Sequence, residues 1–117
     1  FVDDEVPIRD AIGLVLENFD MNVIAAKSGS DAINQLSSSK RSLDIIVTYY
    51  RLKYGETGLD VIYEIRKFMN ADIPAIIVTG ELSLDDITPA QEEDFVILHK
   101  PISSAVLIPL ILERINN

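Results

Sequence analysis

Hydrophobic residues recur along this 117-residue chain in two alternating patterns. In the first pattern, apolar residues lie three or four positions apart, which predicts one buried face of a helix; it covers residues 8–19, 32–36, 59–69 and 107–115. The second pattern is a short apolar run that is typical of a buried strand, and it covers residues 22–26, 43–48, 74–79 and 95–98. The chain begins with what reads as the end of a further strand at residues 1–4.

Local signals support some of these boundaries. Pro7 suits the first turn of a helix, where its missing N–H group costs nothing. Residues 28–31 have the spacing of a capping box before the second helix. Pro109 lies inside the last helical pattern, so we expect it to kink that helix or to shift its start. Residues 80–94 are acidic and weakly patterned, and they predict at most one short helix.

The alternation of strands and helices predicts an α/β fold. Five strands alternating with helical segments form a parallel sheet that is covered by helices on both faces. In such sheets, ligands bind at the carboxyl ends of the strands. We therefore expect the functional residues at the carboxyl ends of the predicted strands.

Composition narrows the classes of function. The chain has 19 Asp and Glu against 10 Lys and Arg, and the net charge of −9 argues against a nucleic-acid-binding surface. It contains no Cys, which removes disulfides, thiolate metal sites and cysteine nucleophiles. No apolar run reaches the length of a membrane span. We expect residues 1–117 to form one domain of a longer, cytoplasmic protein, since the first strand lacks its beginning.

Polar residues follow the predicted strands in a suggestive order. Asp3 and Asp4 follow the first strand, Thr79 ends the fourth, and His99 and Lys100 follow the fifth. Adjacent carboxylates bind Mg²⁺, and a metal ion, a lysine and a hydroxyl together suit phosphoryl transfer. Each signal is weak alone, because acids before a helix are more often solvated and His99 by default is a partly exposed polar residue.

As an ordered set, these residues resemble the receiver domain of two-component signalling proteins over essentially the whole chain. The motifs that carry the resemblance are Val2-Asp3-Asp4-Glu5, Asp44-Ile45-Ile46-Val47-Thr48, Gly58-Leu59-Asp60-Val61-Ile62, Ile76-Ile77-Val78-Thr79-Gly80 and Lys100-Pro101. The resemblance implies a flavodoxin-like doubly wound sheet with strand order 2-1-3-4-5. It also implies an aspartate that takes a phosphoryl group from a kinase phosphohistidine.

The resemblance assigns further roles by position. Asp3 and Asp4 correspond to the acidic pair that binds Mg²⁺, with Asp4 as the direct ligand, and the backbone carbonyl of Arg51 corresponds to another metal ligand. Thr79 and Lys100 correspond to the catalytic hydroxyl and lysine.

Two positions depart from the family pattern. The acceptor position is Tyr49, in Thr48-Tyr49-Tyr50-Arg51-Leu52, where the family has Asp. A phenol is neutral at pH 7, so the site loses a charge, a metal ligand and its nucleophile. We expect a packed ring whose hydroxyl bonds to a carboxylate or to Lys100. Ile97 stands where the family often has an aromatic switch residue.

We therefore expect a pseudo-receiver, most similar to the C-terminal receivers of hybrid sensor histidine kinases, that acts as a docking module and not as an enzyme. The expected partners are a sensor histidine kinase or a histidine phosphotransfer domain, without nucleic-acid or membrane contact, and a homodimer is left open. Mg²⁺ binding should be weak or absent. Two alternatives remain open: an active receiver in which Tyr49 is an introduced change, and a small Mg²⁺-dependent phosphatase with Asp3 as its nucleophile.

Overall fold

The structure, a computed structural model, describes residues 1–39, 42–52, 55–80, 95–100 and 103–115. The described helices are α1 (Val6–Glu17), α2 (Gly29–Ser39), α3 (Gly58–Met69) and α4 (Ser104–Ile115). The strands are β1 (Ile46–Tyr49), β2 (Ala75–Thr79) and β3 (Val96–His99). All of these elements match predicted segments, with boundaries that differ by a few residues.

The three strands form a parallel sheet in the order β1-β2-β3. In the register, Tyr49 pairs with Val78 and Thr79 pairs with His99, so the strands end at nearly the same level. Every residue of β1 and β2 is buried, as expected for the continuous apolar runs that form them. These two strands therefore form the centre of the core.

Two further extended segments join this sheet beside β1. Val2 forms single parallel bridges with Ala26 on one side and with Thr48 on the other. Backbone hydrogen bonds run from the N–H of Val2 to the carbonyl of Val47 (2.8 Å) and from the N–H of Asp3 to the carbonyl of Ala26 (3.0 Å). The predicted first and second strands thus lie where the order 2-1-3-4-5 places them, although each is paired at only one residue. The flavodoxin-like α/β fold is confirmed.

Capping interactions fix the start of α3, the helix that follows β1. The Thr57 side chain accepts a hydrogen bond from the N–H of Asp60 (3.3 Å), and the Asp60 carboxylate accepts one from the N–H of Thr57 (3.0 Å). This is a complete capping box. Gly58, the first residue of the helix, passes so close to β1 that a Cβ atom there would lie 2.6 Å from the Tyr49 carbonyl oxygen. The cap and the glycine together hold α3 against the end of β1.

Some local predictions need correction. Helix α1 ends at Glu17, so Phe19 lies beyond it and is exposed instead of completing the buried stripe. Helix α4 begins five residues before Pro109 and continues past it, so the proline does not set the start of the helix. The early residues of α4 form a helix regardless, because Leu107 and Ile108 are buried in the core. The predicted weak helix falls mostly on residues 81–94, which lie outside the described residues.

No helix in the described ranges combines the length and the apolar character that a membrane crossing requires.

Candidate functional site

The residues singled out from the sequence lie along the carboxyl edge of the sheet. Tyr49 ends β1, Thr79 ends β2, and Lys100 directly follows β3. Backbone hydrogen bonds tie these ends together: the N–H of Tyr49 donates to the Val2 carbonyl (3.1 Å), and the N–H of Lys100 donates to the Thr79 carbonyl (2.9 Å). Asp3 follows Val2 directly, so the parallel sheet brings all four positions to one edge.

Asp3 is a buried carboxyl group at this edge, with only 1% of its surface exposed. Its Oδ1 atom accepts a hydrogen bond from the N–H of Glu5 (3.0 Å), whereas Oδ2 accepts none within the described part of the chain. Burial raises the pKa of Asp3 to about 6; the charges of Asp4 and Glu5 act in the same direction, and the Glu5 N–H and the Lys100 ammonium oppose them. The negative charge of an ionised Asp3 carboxylate is thus only weakly offset by its surroundings.

Tyr49 fills the middle of the site with an aromatic ring and is 4% exposed. The Phe1 ring packs against it in an edge-to-face arrangement, with ring centroids 6.1 Å apart and an interplanar angle of 63°. Burial, together with the charges of Asp3 and Glu5, raises the pKa of Tyr49 to about 12. The phenol therefore stays protonated and neutral at physiological pH.

Lys100 reaches across the end of β2 to this ring. Its Nζ atom lies 3.9 Å from the centroid of the Tyr49 ring, a cation–π contact of the kind that contributes about 0.5 to 2 kcal/mol. The lysine stem passes Gly80, where an added Cβ atom would lie 3.3 Å from the lysine Cδ atom. The sequence predicted a bond from the Tyr49 hydroxyl to a carboxylate or to Lys100, and the contact that the structure describes between Lys100 and Tyr49 is with the ring face.

The other predicted site residues are placed as follows. Thr79 is buried (3% exposed), and Asp4 is half-buried beside Asp3. Arg51 is exposed and forms an isolated bridge with Thr57, so its carbonyl lies in the segment between β1 and α3. His99 is exposed at the end of β3, in agreement with its interpretation as a polar strand-end residue.

Ile97 occupies the middle of β3, where it pairs with Ile77. Its side chain is half-buried. An aliphatic side chain at this position cannot perform the ring rotation on which a threonine–aromatic switch depends.

Two contributors to the site were not predicted. Arg9 of α1 donates from Nη1 to the carbonyl oxygen of Asp3 (2.8 Å), which anchors the backbone of the acidic segment. The Phe1 ring buttresses Tyr49. The sequence signals these two contributors only by an arginine in the first turns of the first helix and by an aromatic residue before the acidic pair. Both features also occur in sequences for many other reasons.

The donor set at this edge can be tested against the Mg²⁺ ion that the resemblance implies. Asp3 Oδ2 is an oxygen without a hydrogen-bond donor, which favours a cation. However, a neutral phenol stands where a third carboxylate is expected, and the Lys100 ammonium lies on that ring. Among the described residues, no group of three or more His, Cys, Asp or Glu side chains could hold a metal ion. The residues present do not fit a tight divalent-metal site.

Comparisons with known proteins agree with the geometry. The family model described as the response regulator receiver domain matches residues 1–112. A receiver domain from Clostridium thermocellum is 28% identical with a TM-score of 0.83, and one from Sinorhizobium medicae WSM419 is 28% identical with a TM-score of 0.81; each match covers 98% of this chain and 90% of the other. A CheY-like receiver domain from Methanospirillum hungatei JF-1 has the same fold, with 20% identity, a TM-score of 0.83 and the same coverage.

No curated protein gives a significant match to the chain. The family model nevertheless spans nearly the whole sequence, from the acidic segment at the end of the first strand into the last helix. The chain therefore belongs to the family of response regulator receiver domains.

Proposed function

We propose that this receiver domain of two-component signalling works without aspartyl phosphorylation, because Tyr49 occupies the position of the phosphoryl acceptor. The observation that carries the proposal is the placement of Tyr49 at the end of β1, where its ring is 4% exposed and lies beneath the Lys100 ammonium. A side chain packed in this way fills the space that a phosphoryl group and its metal ion would need.

The chemistry of Tyr49 supports the same proposal. A phenol whose pKa is raised to about 12 is a poor nucleophile at neutral pH, and it cannot form the acyl phosphate that an aspartate forms. Thr79 and Lys100 are proposed to be what remains of the catalytic apparatus. Asp3 and Asp4, with the Arg51 carbonyl, are proposed to be what remains of a metal site that holds Mg²⁺ weakly or not at all.

The phosphatase alternative finds no support in the site. Asp3 is its only candidate nucleophile, and that carboxyl group is 1% exposed with a pKa raised to about 6. A nucleophile must reach the phosphorus of an incoming ester, which a side chain enclosed by the strand ends cannot do without local opening.

The role that remains is docking. Receiver domains interact with histidine kinases or phosphotransfer proteins, and we propose that this one binds a sensor histidine kinase or a histidine phosphotransfer domain as one cytoplasmic domain of a longer, hybrid-kinase-like protein. Helix α4 supports contact with a partner because its apolar residues Val106, Leu112 and Ile115 are 50%, 42% and 38% exposed.

Calorimetric titration with a histidine phosphotransfer domain from the same organism tests this docking surface. Leu112→Glu should abolish binding, and Glu113→Gln on the same helix should not. Equal binding by both variants would exclude α4 as the surface.

The acceptor proposal is tested by intact-mass measurement after incubation with Mg²⁺ and a small acyl-phosphate donor. We compare the protein with its Tyr49→Asp and Tyr49→Asn variants. The asparagine variant is the matched control, because it removes the ring and leaves a side chain of nearly the same size as aspartate without supplying a nucleophile. Only Tyr49→Asp should gain one phosphoryl group, and circular dichroism should show that all three proteins are folded.

Uptake by the unaltered protein would contradict the proposal. Failure of a folded Tyr49→Asp variant would show that Tyr49 is not what silences the site. The sequence of the parent gene separates a natural Tyr49 from an introduced one, which is the remaining alternative.

A further inference from the structure

The acidic cluster formed by Asp3, Asp4 and Glu5 lies at the same edge of the sheet as a positive charge that belongs to the chain itself, the Lys100 ammonium group. The Nζ atom of Lys100 lies 3.9 Å from the centroid of the Tyr49 ring, and the ammonium group acts electrostatically on Asp3. In a receiver that binds a metal ion, the charge of such a cluster is balanced by that ion. Here the described residues already contain a cation at the same edge of the sheet.

The backbone fixes where the Lys100 side chain begins, and the exposed side chain then extends over the Tyr49 ring. The N–H of Lys100 is hydrogen-bonded to the Thr79 carbonyl (2.9 Å), which fixes the start of the side chain at the end of β2. The stem then crosses Gly80, where a Cβ atom would lie 3.3 Å from Cδ and 3.9 Å from Cε. A side chain at position 80 would therefore crowd the lysine stem.

The tyrosine ring supplies the surface on which the cation rests. The Phe1 ring packs against Tyr49 in an edge-to-face arrangement, and the ammonium group lies over the face of the Tyr49 ring, where the π electrons are concentrated. The buried Asp3 Oδ2 atom, which accepts no hydrogen bond within the described residues, adds negative potential nearby. A ring face and an uncompensated carboxyl oxygen therefore both favour a cation here.

We infer that the Lys100 ammonium group, held on the face of Tyr49 at the same sheet edge as the acidic cluster, supplies the positive charge at this edge in place of a divalent metal ion. The inference rests on the proposed function, in which Tyr49 has replaced the acceptor aspartate, and it adds what occupies the site instead. A divalent cation would have to approach Asp3 against the charge of this lysine, so the chain excludes the metal by like-charge repulsion as well as by loss of a ligand.

Competition between the two cations gives a test that does not depend on phosphorylation. Mn²⁺ is the probe, and its binding is followed by the loss of the free-ion electron paramagnetic resonance signal. Lys100→Met should bind Mn²⁺ at least about tenfold more tightly than the unaltered protein, since a divalent ion then meets no opposing charge. Lys100→Arg keeps the charge and should bind as weakly as the unaltered protein.

Lys67→Met is the matched control, because it removes a lysine at the C-terminal end of α3, away from the cluster. Its affinity for Mn²⁺ should equal that of the unaltered protein. An unchanged or lower affinity in Lys100→Met would overturn the inference, and so would an equal gain in Lys67→Met.

Nuclear magnetic resonance tests the contact itself. Ring currents of Tyr49 should shift the Lys100 side-chain methylene protons upfield. Tyr49→Phe keeps the ring and should keep the shift, whereas Tyr49→Leu should abolish it. Ordinary lysine shifts in the unaltered protein would contradict the contact.

Different results would reject the proposed function and the inference about Lys100. Phosphoryl uptake by the unaltered protein would reject the proposed function. With that uptake absent, unchanged Mn²⁺ binding in Lys100→Met would reject only the inference about Lys100.

Discussion

Replacement of the buried Asp3 by asparagine should change the pH dependence of stability in a calculable way. Burial raises the pKa of Asp3 from 3.8 to about 6, so between these values the folded chain holds a proton that the unfolded chain has released. The stability from this group is fully present below about pH 4 and is lost as the pH rises through about 6. Above that range, folding must bury an ionised carboxylate.

The size of the effect follows from the interval between the two pKa values. It corresponds to about 3 kcal/mol of lost stability once Asp3 is ionised in both states. Asp3→Asn keeps the shape and an oxygen that can accept the Glu5 N–H bond, and it never ionises. The variant should therefore match the unaltered protein near pH 4 and exceed its stability by about 3 kcal/mol near pH 8.

Urea unfolding from about pH 4 to about pH 8, followed by far-ultraviolet circular dichroism in EDTA at constant ionic strength, measures this difference. The quantity of interest is the difference between variant and unaltered protein at each pH, because it removes the contributions of all other carboxylates. Asp10→Asn, on the exposed surface of α1, should differ from the unaltered protein by less than about 0.5 kcal/mol at every pH. A constant difference for Asp3→Asn across the range, or a loss of stability near pH 8, would refute the reasoning.

Two further substitutions test how the end of β1 is joined to α3, and both are checked by thermal or urea unfolding. Gly58→Ala should cost about 2 kcal/mol, because its Cβ atom would lie 2.6 Å from the Tyr49 carbonyl oxygen. Gly13→Ala, whose Cβ atom meets nothing within 4 Å in the middle of α1, should instead gain about 0.5 to 1 kcal/mol; a gain at both glycines would contradict the close approach. Thr57→Ala should cost about 1 kcal/mol through loss of the capping box with Asp60, whereas Thr57→Ser should be nearly neutral; equal losses would argue against the cap.

The fold could be predicted from the sequence largely because its central strands are buried on both faces. The runs that became β1 and β2 are continuous and β-branched, a pattern typical of strands in a parallel sheet covered on both faces. The pairing of the first two segments was harder to predict. Val2 and Ala26 form single bridges, and periodicity shows that a segment is extended without showing how many of its residues pair.

The errors have local causes. Phe19 continues the apolar spacing of α1, yet the helix ends at Glu17 and Asp20 adopts a positive φ of 60°, which turns the chain away. The spacing of the apolar residues does not predict this turn. Pro109 lacks an N–H group, but the helix that surrounds it is fixed by burial of Leu107 and Ile111, and packing overrides the local cost.

The candidate site also has features that the sequence predicts and features that it does not. Its residues could be located from their order at strand ends, because parallel strands bring their carboxyl ends to one edge. The contact between Lys100 and the ring of Tyr49 could not, since it depends on a lysine stem that crosses Gly80 and on the orientation of a ring packed against Phe1. The sequence shows a tyrosine at position 49, but it does not show which side chains the ring contacts.

The proposed replacement of the acceptor by Tyr49 has a consequence for stability that joins the fold to the site. An aspartate at position 49 would remove a side chain that is 4% exposed and would end its contacts with Phe1 and Lys100. It would also add another carboxylate to those of Asp4 and Glu5 near the buried Asp3. Tyr49→Asp should therefore lower the free energy of unfolding by about 2 kcal/mol or more in EDTA, because loss of buried aromatic packing and repulsion between carboxylates act together. Tyr49→Asn loses the packing alone, so it should be the more stable of the two, and added Mg²⁺ should raise the stability of the aspartate variant only. A Tyr49→Asp variant as stable as the unaltered protein without Mg²⁺ would mean that the ring contributes nothing to the core. In the proposed pseudo-receiver, the side chain at position 49 is therefore expected to add stability instead of accepting a phosphoryl group.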